Sequence, residues 1–231
     1  MDKCFLYNNC NHKDCNKDFC LRKYKLEYLF ANSLLPKNLY ERQDLFIDDD
    51  NTDLEEFTKL SQIEKNIVKF VEEGKNLYLY STNCGNGKTS WAVRFIQSYL
   101  NKIWASSTLK CRALFIYVPA FLAATKDFDN KNNEYLDFIK ANVLNADLVI
   151  WDDLASKKNP LSDYEITQLL NVINSRVLYG KSNIYTSNIC PENLAEAAGE
   201  RLASRVANAS ILIELKGKDK RTLLKGDDIF D

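Results

Sequence analysis

The chain is short of several things that would each point to a class of function. It has one histidine, His12, in 231 residues, which disfavours any mechanism needing several imidazoles. It has no excess of charge. Its 31 basic and 32 acidic side chains leave a formal net charge of -1, which excludes a strongly cationic protein that simply coats nucleic acid, though not a local basic patch. It has no long apolar run. Segments such as 113–120 (ALFIYVPA) are strand-sized, far from the ~20 residues a membrane-spanning helix needs. The start, Met-Asp-Lys-Cys, carries no apolar signal segment, so a cytoplasmic protein without a membrane role is expected. Glycine is also scarce, at seven residues, so any tight cluster of glycines is informative.

What is present describes a folded protein. Apolar residues make up 45% and charged residues 27%, which suits a globular chain and not a disordered or fibrous one. The length allows one or two domains and a substantial core. In a reducing compartment the seven cysteines read as thiols or metal ligands, not disulfides. Four of them, Cys4, Cys10, Cys15 and Cys20, fall in the first twenty residues.

That asymmetry divides the chain. Residues 1–56 read as a small cysteine-rich module and linker: the cysteines, an amphipathic stretch at 21–35, Pro36, and an acidic run at Asp48, Asp49 and Asp50. Residues 57–231 read as a second unit. Apolar residues at helical spacing predict a helix over 57–73, stopped by Gly74. Strand and helix patterns then alternate. Strands are expected at 77–82, 114–118, 148–151, 183–187 and 211–215. Helices are expected at 89–100 and from a capping box, Ser162 with Glu165, to about Leu178. This is the pattern of an α/β fold with a mostly parallel five-stranded sheet.

The first strand runs into Thr82-Asn83-Cys84-Gly85-Asn86-Gly87-Lys88-Thr89-Ser90 and the next helix. Strand, glycine loop, lysine, hydroxyl and helix form the context of a phosphate-binding loop. Gly85 and Gly87 let backbone N–H groups turn inward, and the helix presents its positive end to phosphate. Lys88 can reach the β and γ phosphates, and Thr89 can hold Mg²⁺. Thr82 stands where the strict pattern has its first glycine. The plainer alternative is a glycine turn between strand and helix.

A second strand, 148–151, ends in Asp152 and Asp153. Beside a phosphate loop, Asp152 would hold Mg²⁺ and Asp153 would polarise the attacking water; otherwise the pair is a solvated turn. Asn188, at the end of the strand over 183–187, is a candidate to orient that water, although Ser-Asn is also a common turn. Arg201 and Arg205 share one helical face and suit phosphoryl charge in cis or in trans. Two solvated arginines on a surface helix are the alternative.

Taken in order, Asn83 to Thr89, Ile150-Trp151-Asp152-Asp153, Thr186-Ser187-Asn188 and Gly199 through Arg205 resemble AAA+ ATPases. More narrowly they resemble the DnaC/DnaI-type helicase loaders of bacteria and phages, with the insertion-sequence ATP-binding proteins as relatives. The stretch 169–176 and Lys181 add to the narrower match. The resemblance covers about residues 57–225. It implies an ATPase with a Walker A loop at 82–89, a Walker B pair at Asp152 and Asp153, and Asn188 as sensor 1. It also implies Arg201 and Arg205 in the box VII segment, with Arg205 as an arginine finger acting on a neighbour's ATP, and Arg221 in the sensor 2 region. Too little chain follows for a full helical lid. The cofactors implied are ATP and Mg²⁺. The partners implied are a replicative helicase hexamer, single-stranded DNA, and further copies of the chain through the finger.

Cys4, Cys10, Cys15 and Cys20, with His12 between them, offer five ligands where tetrahedral Zn²⁺ needs four. Zinc would let a short module fold without a large core, and some loaders carry a zinc-bearing module that contacts the helicase. Reduced thiols in a tail are the alternative. Lys216, Lys218, Lys220, Arg221 and Lys225 form the densest basic stretch, suited to phosphates. Aromatic residues in 121–135 are candidates for stacking bases, although aromatics at such positions are more often core. Two other functions fit the same motifs: an ATPase helper of a transposase, and a nucleotide-responsive adaptor with little hydrolysis.

Overall fold

The computed structural model describes residues 4–7, 10, 19–41, 45, 52–127, 133–156 and 159–219. His12, Cys15, Lys220, Arg221 and Lys225 lie outside the described residues.

Five short strands build the sheet: β1 (Asn76–Tyr80), β2 (Ala113–Tyr117), β3 (Leu148–Asp152), β4 (Ser182–Ser187) and β5 (Ile211–Glu214). Their order is β2-β3-β4-β1-β5, and every neighbouring pair is parallel. β3 and β4 are buried throughout, as expected of strands covered on both faces. Alternate residues of β1 feed two cores. Leu77 and Leu79 join one layer, while Tyr78 joins the other.

The helices cover both faces. The first layer takes α1 (Leu21–Ala31), α2 (Leu54–Lys65), α3 (Ile67–Glu72) and α4 (Lys88–Ile103). The second takes α5 (Val118–Lys126), α6 (Glu134–Asn142), α7 (Asp163–Leu178), α8 (Leu194–Ala198) and α9 (Glu200–Ala207). The capping box is present at the start of α7. Ser162 Oγ accepts from the Glu165 N–H, and the Glu165 carboxylate accepts from the Ser162 N–H.

The helix expected over 57–73 is two helices. Asn66 separates α2 from α3 at φ -109° and ψ 23°, and its side-chain amide donates to the Gln62 carbonyl at 2.9 Å. An asparagine amide competing for the backbone is a known way to interrupt a helix. Gly74 does follow α3, at φ +62°. A Cβ there would lie 2.3 Å from the Gly180 carbonyl oxygen, so only glycine lets these two turns approach.

The amphipathic stretch near the N-terminus forms α1, and Leu26, Leu29 and Phe30 bury against the α4 layer. Phe5, Phe30 and Tyr40 pack ring against ring, with centroids 5.1 to 5.9 Å apart. These contacts provide the apolar burial that zinc was expected to replace. Cys4 and Cys20 are free thiols. Among the described residues no group of three or more His, Cys, Asp or Glu side chains could hold a metal. The expected zinc site therefore has no support among the described residues. Nor is any helix among them long and apolar enough to cross a membrane.

Candidate functional site

The loop from Ser81 to Gly87 joins β1 to α4 and bends because two of its residues are glycines. Gly85 has φ +69° and Gly87 φ +99°, a region that side chains other than glycine's rarely occupy. Gly85 is also constrained by space, since a Cβ there would fall 1.7 Å from Asp219 Oδ1. Lys88 opens α4 and is largely buried. Its Nζ donates to the Asn83 carbonyl at 3.0 Å and to Asn86 Oδ1 at 3.3 Å.

The loop is braced from both ends of the chain. The Asn83 amide donates to the Lys216 carbonyl at 2.9 Å, and the Asn86 amide donates to the Leu215 carbonyl at 3.0 Å. The same strap, just after β5, is held from the other side by Asp53. That buried carboxylate accepts the N–H of Lys216 at 2.7 Å and of Gly217 at 2.9 Å. Asp53, beside the start of α2, thus positions the 81–87 loop without belonging to it. No local pattern marks it, because its partners lie more than 160 residues away.

The carboxylates meet this loop where β3 ends. Asp152 is 5% exposed and accepts hydrogen bonds from Thr89 Oγ1 at 3.0 Å and Thr186 Oγ1 at 2.7 Å. Thr186 also accepts the Asp153 N–H at 2.9 Å. One hydroxyl therefore holds both members of the pair in place. Asp153 adopts φ +58°, a conformation short polar residues tolerate best, and strained backbones gather at functional sites. Its Oδ1 accepts from Asn188 Nδ2 at 3.3 Å. Asp153, Thr186 and Asn188 line one cavity of about 510 Å³ with Cys84, Gly85, Asn86, Gly87, Lys88, Thr89 and Ser90. Phe57 and Trp91 meet edge to face there, with centroids 5.0 Å apart, and add an apolar wall.

The electrostatics suit a cation. Burial pushes the Asp152 carboxyl above its ordinary range, against the hydrogen bonds from Thr186 and Thr89. Burial also raises Asp153, against the pull of Lys88. A divalent ion beside Thr89 and Asp152 would restore the ionised form, because opposite charge stabilises a carboxylate. Thr89 and Asp152, already joined by a hydrogen bond, supply the hard oxygen ligands Mg²⁺ prefers.

A measurable consequence follows from the sign of that shift. Unfolded Asp152 releases its proton near 3.8, while the folded protein holds it to higher pH. The folded state therefore binds more protons across that window, and stability falls as pH rises through the folded value. At neutral pH the ionised carboxylate is a cost. Without nucleotide and metal, D152N is expected to melt roughly 3 °C higher, about 1 kcal/mol. Calorimetry at pH 7 and near pH 4 should show the gain shrinking in acid. An equal or lower melting point at pH 7 would contradict it.

The other expected site residues lie elsewhere. Arg201 and Arg205 share a face of α9 and line a separate cavity of about 610 Å³ with Asn171 and Asn174 of α7. Both are exposed and lie outside the lining of the cavity at the 81–87 loop. Phe121, a candidate for base stacking, is core, the commoner place for such an aromatic. It is 4% exposed and meets Trp151 edge to face at 6.3 Å. Lys216 pairs with Glu214 at 3.7 Å. Asp53, Thr186, Phe57 and Trp91 are the site residues that sequence reasoning gave no role. Thr186 alone had a signal, the hydroxyl in Thr-Ser-Asn at a strand end.

No family model matches the chain, and no curated protein matches it. Among solved structures it is similar to the DnaC helicase loader, at 23% identity and TM-score 0.62, covering 78% of this chain and 100% of that one. It is similar to DnaI at 20% identity and TM-score 0.60, covering 80% and 94%. AMPPCP-bound DnaA from Aquifex aeolicus shares 18% identity at TM-score 0.54, covering 78% of this chain and 50% of that one. The five-stranded parallel sheet with its flanking helices is the fold that this chain shares with those structures.

Proposed function

We propose that the chain is an ATP-dependent loader that binds a replicative helicase hexamer and assists its placement on single-stranded DNA. The observation that carries this reading is the junction of loop and carboxylate. Lys88 and Thr89 stand at the head of α4, and Thr89 Oγ1 lies 3.0 Å from Asp152 Oδ1. The likeness to a helicase loader spans the whole of that protein, and the likeness to DnaA concerns a structure that holds an ATP analogue.

In this reading the N–H groups of residues 83–89 receive the phosphates, and Lys88 neutralises the β and γ oxygens. Thr89 and Asp152 hold Mg²⁺, which supplies charge neutralisation when bound. Asp153 accepts a proton from the attacking water, and Asn188 holds that carboxylate and orients the water. Arg205 reaches the ATP of an adjacent copy, which fits its exposure on α9. Arg201 assists on the same face. Arg221 contacts nucleotide from the segment beyond the described residues, and Lys216 and Lys218 contribute phosphate contacts to DNA. Residues 1–56 engage the helicase, and residues 57–231 form the ATPase unit.

A nucleotide-responsive adaptor is the second reading. It is favoured by the short Asp153 side chain, held by Asn188, and by Thr82 at the first loop position. Phosphate release, measured alone, with single-stranded DNA and with helicase, separates the two. A loader is expected to be stimulated by DNA and helicase together. No turnover above background in any mixture would sink the ATPase claim. Helicase captured equally well without residues 1–56 would sink the role of that segment.

A further inference from the structure

We propose that Asp53 is a positioning residue for Lys88, tied to it by one polarised series of hydrogen bonds, and that a nucleoside triphosphate taking Lys88 loosens the grip of Asp53. The second half rests on the nucleotide reading proposed above. Both side chains line the cavity at the 81–87 loop. Both are buried, Asp53 at 5% exposure and Lys88 at 8%.

The series runs in one direction. Lys88 Nζ donates to Asn86 Oδ1 at 3.3 Å. The Asn86 amide, buried as well, donates through Nδ2 to the Leu215 carbonyl at 3.0 Å. That carbonyl and the N–H of Lys216 belong to one peptide group. The Lys216 N–H donates to Asp53 Oδ1 at 2.7 Å. Two planar amides thus stand in series between an ammonium and a carboxylate. A cation at the oxygen of an amide makes its N–H a better donor, so each bond strengthens the next. Burial limits screening of the effect by water.

The neighbouring arm is built differently. The Gly217 N–H donates to Asp53 Oδ2 at 2.9 Å, and the carbonyl of the same peptide group, that of Lys216, accepts from the Asn83 amide at 2.9 Å. Lys88 meets Asn83 at its main-chain carbonyl and not at that amide. The second arm is therefore not continuous with the ammonium, and it serves as an internal control.

Lys88 has two alternatives, its resting acceptors or phosphate oxygens in the cavity. Moving to phosphate takes the cation off the series, and the Lys216 N–H then holds Asp53 less firmly. Asp53 also opens α2, where its carbonyl accepts the Phe57 N–H at 2.8 Å. The change arrives where the N-terminal segment joins the rest of the chain. Coupling is reciprocal, so a partner that draws residue 53 away frees Lys88 for phosphate.

Amide exchange at Lys216 and Gly217, followed by nuclear magnetic resonance on the full chain, is the test. Without nucleotide, Lys88→Ala is expected to speed exchange at Lys216 by about threefold or more and to move Gly217 less. In an Asn86→Ala background, which cuts the series, adding Lys88→Ala should change Lys216 no further. Asn86→Asp keeps an acceptor for Lys88 but has no amide donor, and it replaces the alanine variant if that one does not fold. A saturating non-hydrolysable ATP analogue with Mg²⁺ should speed Lys216 relative to Gly217 in the parent chain. An analogue that fails to bind the parent defeats the nucleotide reading, and the Lys88→Ala comparison still decides the series. An analogue that binds and leaves the ratio of the two amides unchanged defeats the signalling. Equal changes at Lys216 and Gly217 in Lys88→Ala, no change at Lys216, or an undiminished response in the Asn86 variants overturns the proposal.

Discussion

Replacing Lys88 with alanine is expected to lower ATP turnover by about 10²-fold or more, the scale on which a charge-stabilising donor at a reacting centre is lost. Lys88 is 8% exposed and its ammonium rests on the Asn83 carbonyl and Asn86 Oδ1. Those two acceptors belong to the loop itself, so the resting lysine is stored within the structure it would serve. Phosphate oxygens would exchange for them, at little reorganisation cost. The substitution also removes the cation that pulls Asp152 and Asp153 down, so both carboxyls should move further up. The fold should tolerate the change, because Asn83 and Asn86 keep their bonds to the 215–217 strap. Equilibrium binding of a fluorescent ATP analogue, steady-state phosphate release and a melting curve check the three parts. Turnover within a few fold of the parent would show that the loop is not the nucleotide site.

Replacing Arg176 with methionine is expected to destabilise the fold by about 3–5 kcal/mol, roughly a 10 °C fall in melting temperature. Arg176 is fully buried near the end of α7. Its Nε donates to Asn183 Oδ1 at 2.7 Å, and its terminal nitrogens donate to the carbonyls of Val143, Ala146 and Ser182. Burial pushes its pKa down to about 10, partly offset by Tyr185 and Asp147, so it stays charged at neutral pH. Methionine fills similar space and answers none of these acceptors. Three buried carbonyls would lose the Arg176 donor, and Asn183 Oδ1 would keep only Trp151. Asn183 also accepts from Trp151 Nε1 and donates to Asn76 Oδ1, so the damage reaches β1, β3 and β4 together. Urea unfolding should show a lower midpoint. A loss under about 1 kcal/mol would show that the network re-pairs or hydrates.

Much of the site was legible before any fold was known. Gly85 and Gly87 fall in the turn between β1 and α4, and Lys88 and Thr89 open α4, so spacing alone brings the four together. The capping box of α7 is likewise local. Other features were illegible for a physical reason. A helix over 57–73 follows from apolar periodicity, yet the Asn66 amide bond to Gln62 divides it. Phe121 could read as a stacking ring or as core, and the contact with Trp151 places it in the core. Asp53 looks like one more acidic residue of a linker, and its role depends on backbone donors from the far end of the chain.

The sequence by itself determined the five strands, the helices α4 and α7, the glycine turn between β1 and α4, the carboxylate pair at the end of β3 and the polar end of β4. These are properties of neighbours along the chain, set by period, turn chemistry and capping. Only the tertiary structure decided that β3 lies beside β4, so that one threonine, Thr186, holds both Asp152 and Asp153. It alone decided that Arg201 and Arg205 line a cavity separate from the one at the 81–87 loop, and that α1 packs in the same layer as α4. Local rules fix what each segment prefers to be. Which segments meet depends on the burial of distant apolar surfaces, and that carries no signature within a short window of residues.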